Sequence, residues 1–300
     1  MKPDIWIDGT FVPWDKACIH PLCHSMQRGA TLFESIDCLK TGNGTPVIFR
    51  LPEHLERFQN SASIIGMKLP YSAEALSHAV IQTVARSGLT SCTIRPLAFY
   101  AEPVFDIYPD TSRVSVVIGI NEKKPLPESI RVNFSRLRKI ENTSMPIKAK
   151  VSGNYIAPMI TKSEAVRAGF DDTLMLDGDG FVTEGSTSNI FIVENGEIHT
   201  SPGDRILQGI TRNTIMSLAD RLQIPLSETF FPPQRLKQAE EVFISSSGLG
   251  VMPVVQVDDV VIGDGVPGPI TKRLRSFYHD VATGRVSEFD GWLTYIDQRG

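Results

Sequence analysis

Three hundred residues suffice for one large domain or two ordinary ones, and a hydrophobic fraction of 41% is enough to build sizeable cores. Thirty basic and 34 acidic residues are interspersed, and the net charge of -4 leaves no basic face for nucleic acid or an anionic membrane. No apolar stretch nears the roughly 20 residues that a membrane helix needs, and none follows Met1-Lys2-Pro3-Asp4. The expectation is a cytoplasmic protein that acts on a small molecule.

The chain begins with sheet. Residues 5–12, Ile-Trp-Ile-Asp-Gly-Thr-Phe-Val, read as two short strands around an Asp-Gly turn. Cys18, His20, Cys23 and His24 lie close together, but structural zinc draws its ligands from two separated pairs, so small apolar cysteines and no metal are expected. With Cys38 and Cys92 they complete the four cysteines, too few for a disulfide scaffold. Residues 27–36 read as a strand entered through Gly29, its side chains alternating between two faces.

Pro52 at a helix start, followed by Leu55, Phe58, Ala62 and Ile65 at helical spacing, predicts a helix over 52–67, with Arg57 beside the apolar stripe. A second helix is predicted over 72–87, then strands over 92–100 and 114–120, giving an α+β unit over residues 1–120. Residues 121–129, with two prolines and four charges, read as the linker to a larger domain over 130–300. There the pattern turns to hairpins, 174–177 with 181–182 and 190–193 with 198, and to helices over 155–168, 211–222 and 269–282.

The stretch 149–155, Ala-Lys-Val-Ser-Gly-Asn-Tyr, places Lys150 on a short strand that runs into Gly153 and an amphipathic helix. Lys148 shares its strand face two residues earlier, but only Lys150 abuts the Gly-Asn-Tyr turn. Glu184 follows a strand buried on one side, where an unpaired carboxylate is costly and a protonated ring nitrogen would suit it. Gly209-Ile210-Thr211 opens a helix whose free N–H groups face an anion, Ser246-Ser247-Gly248 offers a similar turn, and Arg57 adds a guanidinium fork. An amine, a carboxylate and two anion-ready turns are the parts that a pyridoxal phosphate site requires.

The ordered series 49–58 (Phe-Arg-Leu-Pro-Glu-His-Leu-Glu-Arg-Phe), Ile94-Arg95-Pro96, 149–155, Thr183-Glu184-Gly185, 208–212, Glu241-Val242-Phe243 and 268–271 resembles class IV pyridoxal-phosphate aminotransferases, the branched-chain enzymes above all. That resemblance implies a two-domain α+β fold with pyridoxal 5'-phosphate at the domain interface, and a homodimer. It implies Lys150 as the lysine that links to the cofactor aldehyde, Glu184 at the pyridine nitrogen and Tyr155 at the ring hydroxyl. Arg57, Ile210, Thr211, Ser246 and Ser247 would hold phosphate, and Leu207 would pack on the ring.

Branched-chain enzymes usually carry tyrosine, arginine and tyrosine where Arg28, Asp37 and Thr93 stand. Arg28 instead resembles the carboxylate-binding arginine of class IV D-amino-acid transaminases. Arg28 and Arg95 together are a candidate carboxylate clamp, with Phe33, Ser247 and Gly248 around the substrate. The implied reaction is transfer of an amino group from a branched-chain L-amino acid to a 2-oxo acid. The alternatives are a D-amino-acid or (R)-amine transaminase and a lyase like aminodeoxychorismate lyase.

Overall fold

Strands β1 (Ile5–Ile7) and β2 (Thr10–Val12) are joined through Asp8 and Gly9 at φ 45° and 92°, the left-handed pair that a tight hairpin turn demands. The computed structural model describes residues 2–109 and 112–296. After the hairpin come α1 (His24–Arg28), β3 (Leu32–Phe33), β4 (Ile36–Lys40), β5 (Pro46–Phe49), α2 (Leu51–Ile64), α3 (Ala73–Ser87), β6 (Cys92–Tyr100) and β7 (Val114–Glu122).

The strand expected over 27–36 is corrected. Gln27 and Arg28 close a helical turn that ends on Gly29 at φ 70°, and pairing starts only at Leu32. From there β3 and β4 run along β6 in one register, Leu32 against Ala98 and Cys38 against Cys92. The gap between them faces Pro96, which has no N–H to donate to the ladder, although its carbonyl accepts the Glu34 N–H at 2.9 Å.

The later elements are β8 (Ile130–Phe134), α4 (Ile156–Arg167), β9 (Asp172–Leu176), β10 (Val182–Gly185), β11 (Asn189–Glu194), β12 (Glu197–Thr200), α5 (Ile210–Arg221) and β13 (Leu226–Glu228). They continue with α6 (Pro233–Gln238), β14 (Glu241–Ser246), β15 (Gly250–Val257), β16 (Val260–Val261), α7 (Pro269–Ala282) and β17 (Leu293–Tyr295). The helix expected over 155–168 is preceded by a 3-10 turn at Ser152–Tyr155. It is also not amphipathic in the ordinary sense, since Pro158, Thr161 and Ala165 are buried while Ile156, Met159 and Val166 are exposed.

The chain divides into two units: one holds residues up to Lys124, residues 149–153 and those from Asp280 on, and the other holds Pro125–Lys148 and Asn154–His279. The expected division into 1–120, 121–129 and 130–300 therefore needs correction. The Ser152 and Gly153 N–H groups bond to Thr31 and Gly29, and β17 pairs with β5, so both later segments belong with the first unit. Long-range pairing of this kind leaves no trace in composition, which is all that a linker reading uses.

In the first unit, one eight-stranded sheet runs β17-β5-β4-β6-β7-β1-β2, with β3 also on β6. Leu51, Leu55 and Phe58 of α2 and Leu76, Val80 and Val84 of α3 pack with Ile36, Ile94 and Ile118 of the sheet in its core. The second unit's nine-stranded sheet runs β10-β9-β8-β15-β14-β11-β12-β13, with β16 also on β15, and an added β10–β11 pairing closes six of these strands into a ring. Among the described residues, no helix is long and apolar enough to cross a membrane.

Candidate active site

Residues 149–153 lie antiparallel to residues 29–33, with Val151 bridged to Leu32 and the Phe33 N–H donating to the Lys150 carbonyl at 3.2 Å. The Lys150 N–H donates in turn to Ser61 Oγ of α2 at 3.0 Å. With its backbone held on both sides, Lys150 has its amine 4.7 Å from the centre of the Phe33 ring. Arg95, exposed on β6, has its guanidinium 5.4 Å from the same ring. Three predicted residues, Phe33, Arg95 and Lys150, are thus brought together.

Arg57 sits on the face of α2 that also carries His54 and Ser61, at i-3 and i+4. Its Nε and Nη2 donate to the two oxygens of Glu34 at 2.7 and 2.8 Å, and His54 Nδ1 lies 2.8 Å from Glu34 Oε2. Glu34 is wholly buried, and burial alone would raise its pKa. The Arg57 and His54 charges and hydrogen bonds outweigh burial and hold the carboxyl well below the usual carboxylate range. Burial also pushes the His54 imidazole down, against the pull of Glu34.

Both shifts make the folded state bind fewer protons than the unfolded chain in acid. Stability is therefore present in full above the ordinary histidine value of 6.5 and begins to fall below it. A second, steeper loss is expected below the ordinary glutamate value of 4.5. Urea midpoints measured from pH 8 to pH 4 should fall with acidity, and Glu34→Gln should flatten the lower limb. A midpoint that rises as pH falls would contradict the network.

Arg28 ends α1, and its Nη2 donates to the Phe105 carbonyl at 2.9 Å. The pairing of Arg28 with Arg95 as a clamp stands as a proposal, and Arg28→Ala is expected to raise KM for amino acids while leaving simple amines nearly unaffected. An unchanged KM for amino acids would remove the clamp. On the other side of β4 from Glu34, Asp37 is buried and paired with Lys123 Nζ at 2.5 Å. Burial pushes its carboxyl up and Lys123 opposes this.

In the second unit, Glu184 lies within β10 and not beyond it, one residue past a register shift in the β9 ladder. Such bulges turn a side chain out of strand alternation. Glu184 is buried, ion-paired with Lys139, and accepts the Leu207 N–H at 3.3 Å. In the β10–β11 pairing it stands opposite Asn189, whose side-chain amide donates to the Leu207 carbonyl at 3.0 Å. Asn189 also fills the space beside Gly209, where a Cβ would collide with its Oδ1.

Gly209 is the N-cap of α5, with extended φ and ψ of -69° and 134° and no side-chain cap, so the first-turn N–H groups at Ile210 and Thr211 keep the free positive end of the helix. Across from Asn189 in β14 stands Ser245, followed by Ser246, Ser247 and Gly248 at the strand end. Ser186, Ser188 and Ser245 have buried hydroxyls without a hydrogen-bond partner, a cost that an added polar ligand would relieve. Tyr155 is the N-cap of α4.

The first unit offers an amine, and the second a buried carboxylate, an uncapped helix start and orphaned hydroxyls; each is a group type that a phosphate-bearing aldehyde with a basic ring nitrogen calls for. Sequence reasoning missed Glu34, His54, Lys139 and Asn189. His54 had a signal, since it shares a helix face with Arg57, but Lys139 lies 45 positions from Glu184 and meets it only through the sheet. Among the described residues no group of three or more His, Cys, Asp or Glu is placed to hold a metal, and Cys18 is exposed while Cys23 is buried.

The chain is similar to the branched-chain-amino-acid aminotransferase of Pseudomonas aeruginosa, 34% identical over 298 residues that cover 97% of each. The enzyme of that name from Escherichia coli K12 is 32% identical over 302 residues, 98% of this chain and 97% of that one. Among solved structures, the branched-chain aminotransferase of Thermoproteus uzoniensis with norvaline superposes with a TM-score of 0.95 at 33% identity, covering 99% of this chain and 100% of that one. The pyridoxal-phosphate form of the branched-chain enzyme from Thermobaculum terrenum gives 0.93 at 26%, over 99% of both chains. The class IV amino-transferase family matches residues 31–257, and the chain belongs to that family.

Proposed function

We propose that this enzyme is a pyridoxal-phosphate transaminase that moves an amino group between a branched-chain L-amino acid and a 2-oxo acid. The observation that carries the reading is similarity to branched-chain aminotransferases over 97% of both chains. Pyridoxal 5'-phosphate supplies an aldehyde for an amine and a ring that draws electron density from the substrate carbon. Lys150 Nζ would hold the cofactor through that aldehyde, and its amine would serve as the base that moves the proton of the substrate's α-carbon.

Glu184, paired with Lys139, would accept the hydrogen of the ring nitrogen, and Tyr155 would hold the ring hydroxyl. Leu207, fixed at both its N–H and its carbonyl, packs on the ring. Arg57, Ile210, Thr211, Ser246 and Ser247 would hold the phosphate. Phe33, Arg95, Ser247 and Gly248 line the substrate, with Arg28 as the residue that favours a D-amino acid instead. A half-reaction screen with paired L- and D-amino acids, following cofactor absorbance, tests this. Faster conversion of L-leucine or L-valine than of their mirror images is expected, and the reverse would move the assignment to D-substrates. Pyruvate release without an oxo-acid acceptor would indicate the lyase.

A homodimer in the cytoplasm completes the reading. Ile19, Leu22, Met26, Phe105, Ile107 and Tyr108 are exposed on segments tied together by the His24 N–H to Glu102 carbonyl bond at 2.9 Å, and α4 exposes Ile156, Met159 and Val166. Exposed apolar patches of this kind suit a second copy of the chain. Sedimentation at micromolar concentration is expected to give a dimer, weakened by Ile107→Glu. A monomer would remove this part of the reading.

A further inference from the structure

Glu34 is a wholly buried ionisable group to which the proposed chemistry gives no task. It belongs to the face of β3 and β4 that carries Leu32 and Ile36, all three wholly buried. Its two oxygens receive Nε and Nη2 of Arg57, the bidentate arrangement that fixes the guanidinium plane as well as its position. His54 adds a third bond and the Ser35 N–H a fourth, at 2.8 and 3.2 Å. The preceding residue on the chain, Phe33, donates its N–H to the Lys150 carbonyl, while Ser61, one turn after Arg57 on α2, receives the Lys150 N–H.

A buried ion pair is weak evidence for stability, because desolvating both charges offsets most of their attraction. What such a pair does well is fix geometry. Left alone, Arg57 has a long flexible stem and much rotamer entropy to lose when it grips a ligand. Held beforehand by a carboxylate that cannot itself move, it loses little of that entropy on binding.

We propose that Glu34 is a positioning residue that presets the Arg57 guanidinium for the cofactor phosphate, and that it ties Arg57 to the segment carrying Lys150. This rests on the reading of Arg57 as a phosphate ligand. Glu34 touches neither substrate nor cofactor in this role. It acts through Arg57, so its effect must depend on the phosphate being there.

The test compares pyridoxal 5'-phosphate with pyridoxal, which lacks the phosphate, as ligands of the full-length chain. Glu34→Gln keeps the size of the side chain and removes its charge. It is expected to weaken binding of pyridoxal 5'-phosphate by at least about tenfold, the scale of one lost charge-assisted hydrogen bond, and to leave pyridoxal unchanged. The phosphorus-31 resonance of bound cofactor should shift as well. Equal weakening of both ligands, or none, overturns the proposal, since a merely structural role has no means of sensing the phosphate.

Arg57→Leu separates the two readings. If Arg57→Leu shows no preference between the ligands, the phosphate role of Arg57 itself fails. If it selectively weakens pyridoxal 5'-phosphate and Glu34→Gln does not, only the role of Glu34 fails. Should Glu34→Gln not fold, Glu34→Asp, which keeps the charge and shortens its reach, carries the same comparison with a smaller selective loss expected.

Discussion

Lys150→Ala is expected to lower turnover by at least about a thousandfold, since on the proposed reading it removes both a nucleophile and a proton carrier. The fold should survive: Lys150 is held through its backbone N–H and carbonyl, which alanine also has, and its amine lies over the Phe33 ring. Thermal unfolding of the variant should therefore stay close to that of the parent while the yellow colour of bound cofactor changes. Lys148→Ala provides the contrast. Lys148 is exposed and belongs to the second unit, and its loss should cost little activity.

Glu184→Gln should be damaging in two ways at once. Lys139 and Glu184 have side chains only 8% and 10% exposed, so removing one charge strands the other in the interior, at a cost of about 3 kcal/mol or more. Turnover should fall by about a hundredfold or more as the ring nitrogen loses its anionic partner. The double change Glu184→Gln with Lys139→Met separates these effects, because it removes the stranded charge. Stability should largely return and activity should not. If activity returned along with stability, Glu184 would be a structural acid and nothing more.

How far the sequence can be read depends on how local each signal is. Helix α7 falls where the sequence predicts it, over 269–282, because Pro269 at the start and the apolar spacing behind it are contained in one stretch. Strand β6 matches 92–100 for a similar reason. The Asn195-Gly196 turn, at φ 50° and 79°, can be placed from two residues. By contrast, α1 is a single turn, too short for periodicity to register, so its residues read as the start of the strand that follows.

The candidate site divides along the same line. Lys150, Glu184 and the α5 start stand out because each sits in a short run of unusual residues. Their partners do not: Glu34 meets Arg57 and His54 across about 20 positions, and Asn189 meets Leu207 across 18, only after the strands have paired. A buried glutamate in an apolar strand is itself a usable sign, since such a charge must find a cation. The sequence alone does not say which one.

Borohydride reduction of the purified protein, followed by digestion and fragment sequencing by mass, tests the central assignment most directly. The reduced link survives digestion and also blocks cleavage after the modified lysine, so Lys148 and Lys150 are told apart. A pyridoxyl mass on Lys150 is the predicted result. The same mass on Lys148, or on neither residue, would contradict the account.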